Sequence, residues 1–93
     1  MIKSFKCKET EKVFNRIYSK NWPKSIQAIA LRKLRMIKNS QNLTDLRIPP
    51  SNRLEKLKGD RKDQYSIRIN DQWRICFTWE HPDAYNVAIV DYH

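Results

Sequence analysis

At 93 residues the chain has room for one hydrophobic core and none for a second. Its 19 Lys and Arg outweigh 10 Asp and Glu, and a charge of +9 favours RNA, DNA or an acidic protein as partner. The lone glycine, Gly59, excludes a glycine-rich phosphate loop, no run is apolar enough to span a membrane, and Cys7 and Cys76 match no zinc spacing.

Taken in order, Ile2–Cys7 alternates weakly and predicts a first strand. The opening Met1–Phe5 lacks the apolar core of a secretory signal, so a cytoplasmic protein with two reduced thiols is expected. Val13, Phe14, Ile17 and Tyr18 recur at helical spacing and predict an amphipathic helix over Thr10–Ser19, with Thr10 as a candidate N-cap. Pro23 suits the first turn of a second helix, whose stripe of Ile26, Ile29, Ala30, Lys33, Leu34 and Ile37 runs to about Asn39. Asn42–Asn52 is a connector pinned by Leu43, Leu46 and Ile48, with Pro49-Pro50 enforcing an extended path.

Arg53–Leu57 is a strand candidate and Lys58–Asp63 a polar turn. Tyr65, Ile67 and Ile69, then Trp73, Ile75, Phe77 and Trp79, alternate with period two on either side of a turn near Asn70-Asp71. Ser66, Arg68, Arg74, Cys76 and Thr78 have the opposite parity and so share the second face of a hairpin. After a turn at Glu80–Ala84, Tyr85–Val90 predicts the last strand. The fold class is α+β: two helices on one face of a small, mostly antiparallel sheet, in the order β-α-α-β-β-β-β, as a single domain over 1–93.

RNA cleavage through the 2′-hydroxyl needs a base, an acid and cations around the phosphorane, with no metal or other cofactor. Glu55 is the candidate base, His93 the candidate acid, and Arg74, Arg68 and Lys58 are the cations. Arg74 is the strongest cation, because a guanidinium can grip two phosphate oxygens in parallel. Its competing reading is a surface arginine at a sheet edge. Glu55 equally suits a structural ion pair with Arg53 or Arg74. An unperturbed imidazole, with a pKa of about 6.5, can carry protons near neutrality, and Asp91, two residues before His93 in the chain, would favour the proton-donating form. Tyr92 either stacks on a base or plugs the C-terminus. His81, next to Pro82, reads as an exposed loop residue.

Asn52-Arg53-Leu54-Glu55-Lys56-Leu57-Lys58-Gly59-Asp60-Arg61, the run from Tyr65 through Trp73-Arg74-Ile75, and the terminal Asp91-Tyr92-His93 resemble the HigB toxins of the RelE/ParE superfamily. The resemblance spans essentially the whole chain. It implies a microbial-ribonuclease-like α+β fold, mRNA cleavage in the ribosomal A site, and neutralisation by a HigA-like helix-turn-helix antitoxin. Lys58, Arg74, Asp91, Tyr92 and His93 fall on positions the family uses for RNA binding or catalysis. Where a well-known HigB pattern carries a histidine before the leucine–lysine–glycine turn, this chain carries Glu55, which is similar to the glutamate of YoeB-type relatives. Three functions therefore stand against one another: a ribosome-dependent endonuclease toxin, a ParE-like gyrase inhibitor without nuclease activity, and a non-toxic basic RNA-binding module.

Overall fold

The computed structural model describes residues 1–58 and 63–91. Helix α1 spans Lys8–Phe14 and α2 spans Lys24–Asn39. Two 3₁₀ turns, Leu43–Arg47 and Pro50–Asn52, lead into β1 (Glu55–Lys56), β2 (Gln64–Arg68), β3 (Trp73–Glu80) and β4 (Asp83–Asp91). The strands form one antiparallel sheet in the order β1-β2-β3-β4. Among the described residues no helix is long and apolar enough to cross a membrane.

The alternation in the hairpin becomes the two faces of this sheet. Ile67, Ile75 and Ile89 lie directly opposite one another across β2, β3 and β4, and all three are buried. They pack with Phe77 and Val87 against Ile26, Ala30, Leu34 and Ile37 of α2 and Val13 of α1. The α2 stripe is therefore the expected one, Lys33 included. Hydrophobic burial of this kind is the dominant favourable term in folding. Side chains of the other parity, Glu55, Ser66, Cys76 and Ala88 in one row and Arg68, Arg74 and Val90 in the next, share the face that the helices leave open.

Three expectations are corrected. The first strand is reduced to two isolated parallel bridges, Ile2 to Ala84 and Phe5 to Val87. The cause is a bulge in β4: Cys76 pairs with Ala88 but Thr78 pairs with Tyr85, so β4 carries one extra residue there. Asn86 takes φ 53° at that point, and its amide donates to Ser4 Oγ at 2.9 Å instead of continuing a ladder. Ile48, expected in the core, is 76% exposed. Its backbone is held by Asn52 Nδ2, which donates to the Ile48 carbonyl at 3.4 Å.

The third correction concerns α1, which stops at Phe14 rather than Ser19. Arg16 takes the left-handed conformation, φ 64°. Its amide donates to the Val13 carbonyl at 3.0 Å and the Ile17 amide to the Lys12 carbonyl at 2.8 Å, which is a Schellman ending with arginine where glycine is usual. Thr10 is not the N-cap, which is Cys7. Thr10 Oγ1 instead accepts the Ile89 amide at 3.1 Å and so ties α1 to β4.

Candidate RNA-cleaving face

Arg74 is the second residue of β3, with Arg68 of β2 on one side and Val90 of β4 on the other. The competing reading, a surface arginine at a sheet edge, does not hold, because Arg74 is 7% exposed and lies between β2 and β4. A guanidinium can be buried only if its donors are satisfied. Arg74 Nε donates to Ser66 Oγ at 2.9 Å, and Nη2 donates to the Arg53 carbonyl at 2.6 Å and to the Ser66 carbonyl at 3.4 Å. The head group is thus fixed in orientation before any ligand arrives. The Glu55 carboxylate, 53% exposed, lies 4.0 Å from Nη2.

The Arg53 carbonyl reaches Arg74 because of what precedes it. The turn Pro50–Asn52 ends with Arg53 in the left-handed region, φ 45° and ψ 58°. Asn52, fully buried, secures that turn: its Nδ2 donates to the Leu46 carbonyl at 3.2 Å, and its Oδ1 accepts the Lys33 ammonium. Burial, with Arg32 and Arg68 nearby, holds the Lys33 pKa below the usual lysine range. Asp45, which accepts the Gln41 and Asn42 amides at 3.0 Å each, closes the other end of the connector. Those two amides, Asn42 foremost, lower its pKa.

Beside this pair the open face hollows into a cleft of about 670 Å³. Cys76, Thr78, Ala88 and Val90 form its floor, with Leu57 and Gln64 on one side and Lys6 and Asn86 on the other. This volume falls within the range of small-ligand sites. Cys7 and Cys76 are not joined in a disulfide.

The structure brings together some of the residues singled out in the sequence and separates others. Glu55 and Arg74 meet. Arg68 stands opposite Arg74 on the next strand, but its guanidinium pairs with Asp71 in the hairpin turn. Lys58 is exposed, two residues beyond β1. Asp91 lines the cleft and accepts Gln72 Nε2 at 3.2 Å. The expectations for Tyr92 and His93 lie outside the described residues, as does most of the Lys58–Asp63 turn. Sequence reasoning missed Ser66, Asn52 and Lys6. Parity puts Ser66 on the same face as Arg74 but gives it no role, Lys6 is only one position in a weak alternation, and Asn52 reads only as the end of a connector.

A profile described as the RelE-like toxin of the type II toxin–antitoxin system HigB matches residues 3–93. The chain is 45% identical over 67 residues to Toxin HigB-1 of Vibrio cholerae, covering 72% of this chain and 70% of that one. It is 40% identical over 67 residues to an uncharacterized protein of Haemophilus influenzae, covering 72% and 66% respectively. Over 93 residues, 100% of both chains, it is 32% identical to Endoribonuclease HigB of Proteus vulgaris. On a match that runs from residue 3 to residue 93, the chain belongs to the HigB-like family of RelE-like toxins, whose members work in two-part systems with an antitoxin.

Proposed function

We propose that the protein is a ribosome-dependent mRNA endonuclease that arrests translation, held in check by a HigA-like helix-turn-helix antitoxin. One observation carries this reading: a solvent-facing carboxylate, Glu55, stands 4.0 Å from the oriented guanidinium of Arg74 on the sheet face away from the helices. The Proteus vulgaris relative is likewise named as an endoribonuclease. In the proposed reaction the Glu55 carboxylate takes the 2′-hydroxyl proton, and the 2′ oxygen attacks the adjacent phosphorus. Arg74, with Lys58 and Arg68 as further cations, stabilises the negative charge gathering on the phosphorane. His93 donates the proton that leaves with the 5′ oxygen. The steps balance without a metal ion.

Lys6, on the far side of the cleft from Leu57 and Gln64, extends the cationic track beyond the reacting phosphate. Replacing it with alanine is expected to weaken RNA binding about 3- to 10-fold and to reduce the salt slope of binding by about 1. Filter binding across a salt series measures both. An unchanged slope removes Lys6 from the RNA track.

The test of the function is a reporter mRNA translated with and without the protein, with its 5′ ends mapped by primer extension. New ends within the translated reading frame, absent from untranslated message, are expected. Growth arrest without new ends contradicts the nuclease. If Glu55→Ala and His93→Gln then leave toxicity intact, a gyrase-type inhibitor takes its place.

A further inference from the structure

Ile17 and Tyr18, expected to be core residues of α1, are instead 53% and 58% exposed. They are not on a loose end. The Schellman turn at Arg16 fixes where the chain leaves α1, and the next residue but two is bolted down. Ser19, 1% exposed, donates its amide to Gln27 Oε1 at 3.1 Å and its hydroxyl to Glu9 Oε1 at 3.1 Å. Gln27 Nε2 donates back to the Ser19 carbonyl at 2.6 Å and to the Trp22 carbonyl at 2.9 Å. Two large apolar side chains are therefore held in water by a well-bonded segment. Such an arrangement on a small, highly charged domain marks a contact surface.

The two side chains wall a groove of about 420 Å³ between the end of α1 and α2. Val13, Ala28 and Leu31 complete its apolar lining, and Arg16 and Lys24 bring cationic groups to it. Lys24, Ala28 and Leu31 recur at helical spacing on α2, away from the stripe of Ile26, Ala30, Leu34 and Ile37 that covers the sheet. Beside its buried stripe the second helix thus carries an apolar flank, Ala28 and the half-buried Leu31, that borders the groove. The groove lies on the helical layer, whereas Glu55 and Arg74 lie on the sheet face that the helices leave open.

We infer that this groove is the docking site of the antitoxin, and that it takes an amphipathic helix whose apolar side chains enter between Ile17, Tyr18 and Leu31 while flanking Asp or Glu residues meet Arg16 and Lys24. The inference deepens the toxin–antitoxin reading and rests on it. Three observations favour this occupant. An apolar trough bordered by α2 has the shape that receives a helix by its i, i+3 and i+4 anchors. The cations beside it, on a chain of net charge +9, call for acidic flanks, which also speed encounter. The pinned segment presents its anchors pre-formed, so little ordering is needed on binding.

The test measures binding of the separately purified cognate antitoxin by titration calorimetry, with cleavage of translated reporter mRNA read in parallel. Ile17→Glu with Tyr18→Glu changes only exposed side chains and is expected to weaken antitoxin binding about 100-fold or more. Lys24→Glu is expected to weaken it about 5-fold and to flatten its salt dependence. Lys58→Ala, on the other side of the protein, should keep the wild-type affinity. Reporter cleavage by the double variant should be unchanged, but antitoxin should no longer suppress it. Wild-type antitoxin affinity in the double variant overturns the inference. So does a wild-type dimer in light scattering that the double substitution dissociates, which would make the groove a self-interface. Loss of cleavage by a folded double variant with full antitoxin affinity would likewise overturn it, in favour of a ribosome contact. If the wild-type protein cleaves nothing while the double variant loses the antitoxin, the groove stands and the nuclease falls.

Discussion

Arg74→Ala is expected to lower mRNA cleavage about 100- to 1,000-fold and, separately, to cost about 2–4 kcal/mol of stability. The two effects have different origins. Stability falls because Ser66 Oγ and the Arg53 carbonyl lose the donors at 2.9 and 2.6 Å, and Ser66 is fully buried. A buried acceptor left without its partner costs about 1–3 kcal/mol. Activity falls because the cation beside the reacting phosphate is gone. Arg74→Lys separates these contributions. It keeps the charge but lacks the planar fork that reaches two acceptors at once. Urea denaturation with cleavage rates normalised to folded protein measures both. Equal rates for Arg74→Ala and wild type, once normalised, would make Arg74 purely structural.

Asn52→Leu is expected to destabilise the fold by about 3–5 kcal/mol, although in the sequence Asn52 is only the end of a two-proline connector. Asn52 is 0% exposed and bonds Lys33, Leu46 and Ile48 at once. Leucine fills a similar volume but strands the Lys33 ammonium in the core, and an unpaired buried charge is among the most destabilising changes available. The double substitution Lys33→Met with Asn52→Leu removes both polar partners and should recover most of the loss. Recovery absent in that double variant would contradict the coupling.

A pH dependence follows from the same lysine. Its folded pKa is below the ordinary value, so between the two the unfolded chain binds more protons than the folded one. Stability contributed by Lys33 therefore rises with pH across that alkaline window and is fully present only above the unfolded value of about 10.4. Lys33→Met should remove the rise. Because Asn52 also sets the turn that aims the Arg53 carbonyl at Arg74, Asn52→Leu should lower cleavage in the fraction that remains folded.

Periodicity made much of this architecture legible. The period-two alternation through Tyr65–Ile69 and Trp73–Trp79 carries the register of the hairpin, because one face must be buried. The α2 stripe is legible for the same reason, even where it includes a lysine. What stayed hidden depends on partners far along the chain or on unusual backbone. Arg16 ends α1 in a conformation that glycine usually marks, so nothing in Ile17-Tyr18 warns that the helix has stopped. Asn86 makes a bulge without glycine and breaks the first strand into two bridges. Arg74 and Ser66 are 8 residues apart, and Arg74 and Arg53 are 21 apart. Parity assigned Arg74 to the open face, but only the folded contacts show it embedded there. The fold brings Glu55 and Arg74 together, whereas His93 is legible only from the resemblance and its residue type.

Under the proposed function the open sheet face cleaves RNA by activating the 2′-hydroxyl. The most direct measurement is the chemistry of the ends made on ribosome-bound mRNA in a single-turnover reaction with purified protein. Cleavage by this route leaves a 5′-hydroxyl on the downstream fragment and a 2′,3′-cyclic phosphate or 3′-phosphate upstream, and Glu55→Gln should slow it about 100-fold or more. Downstream fragments bearing 5′-phosphate, or a Glu55→Gln rate equal to wild type, would contradict it.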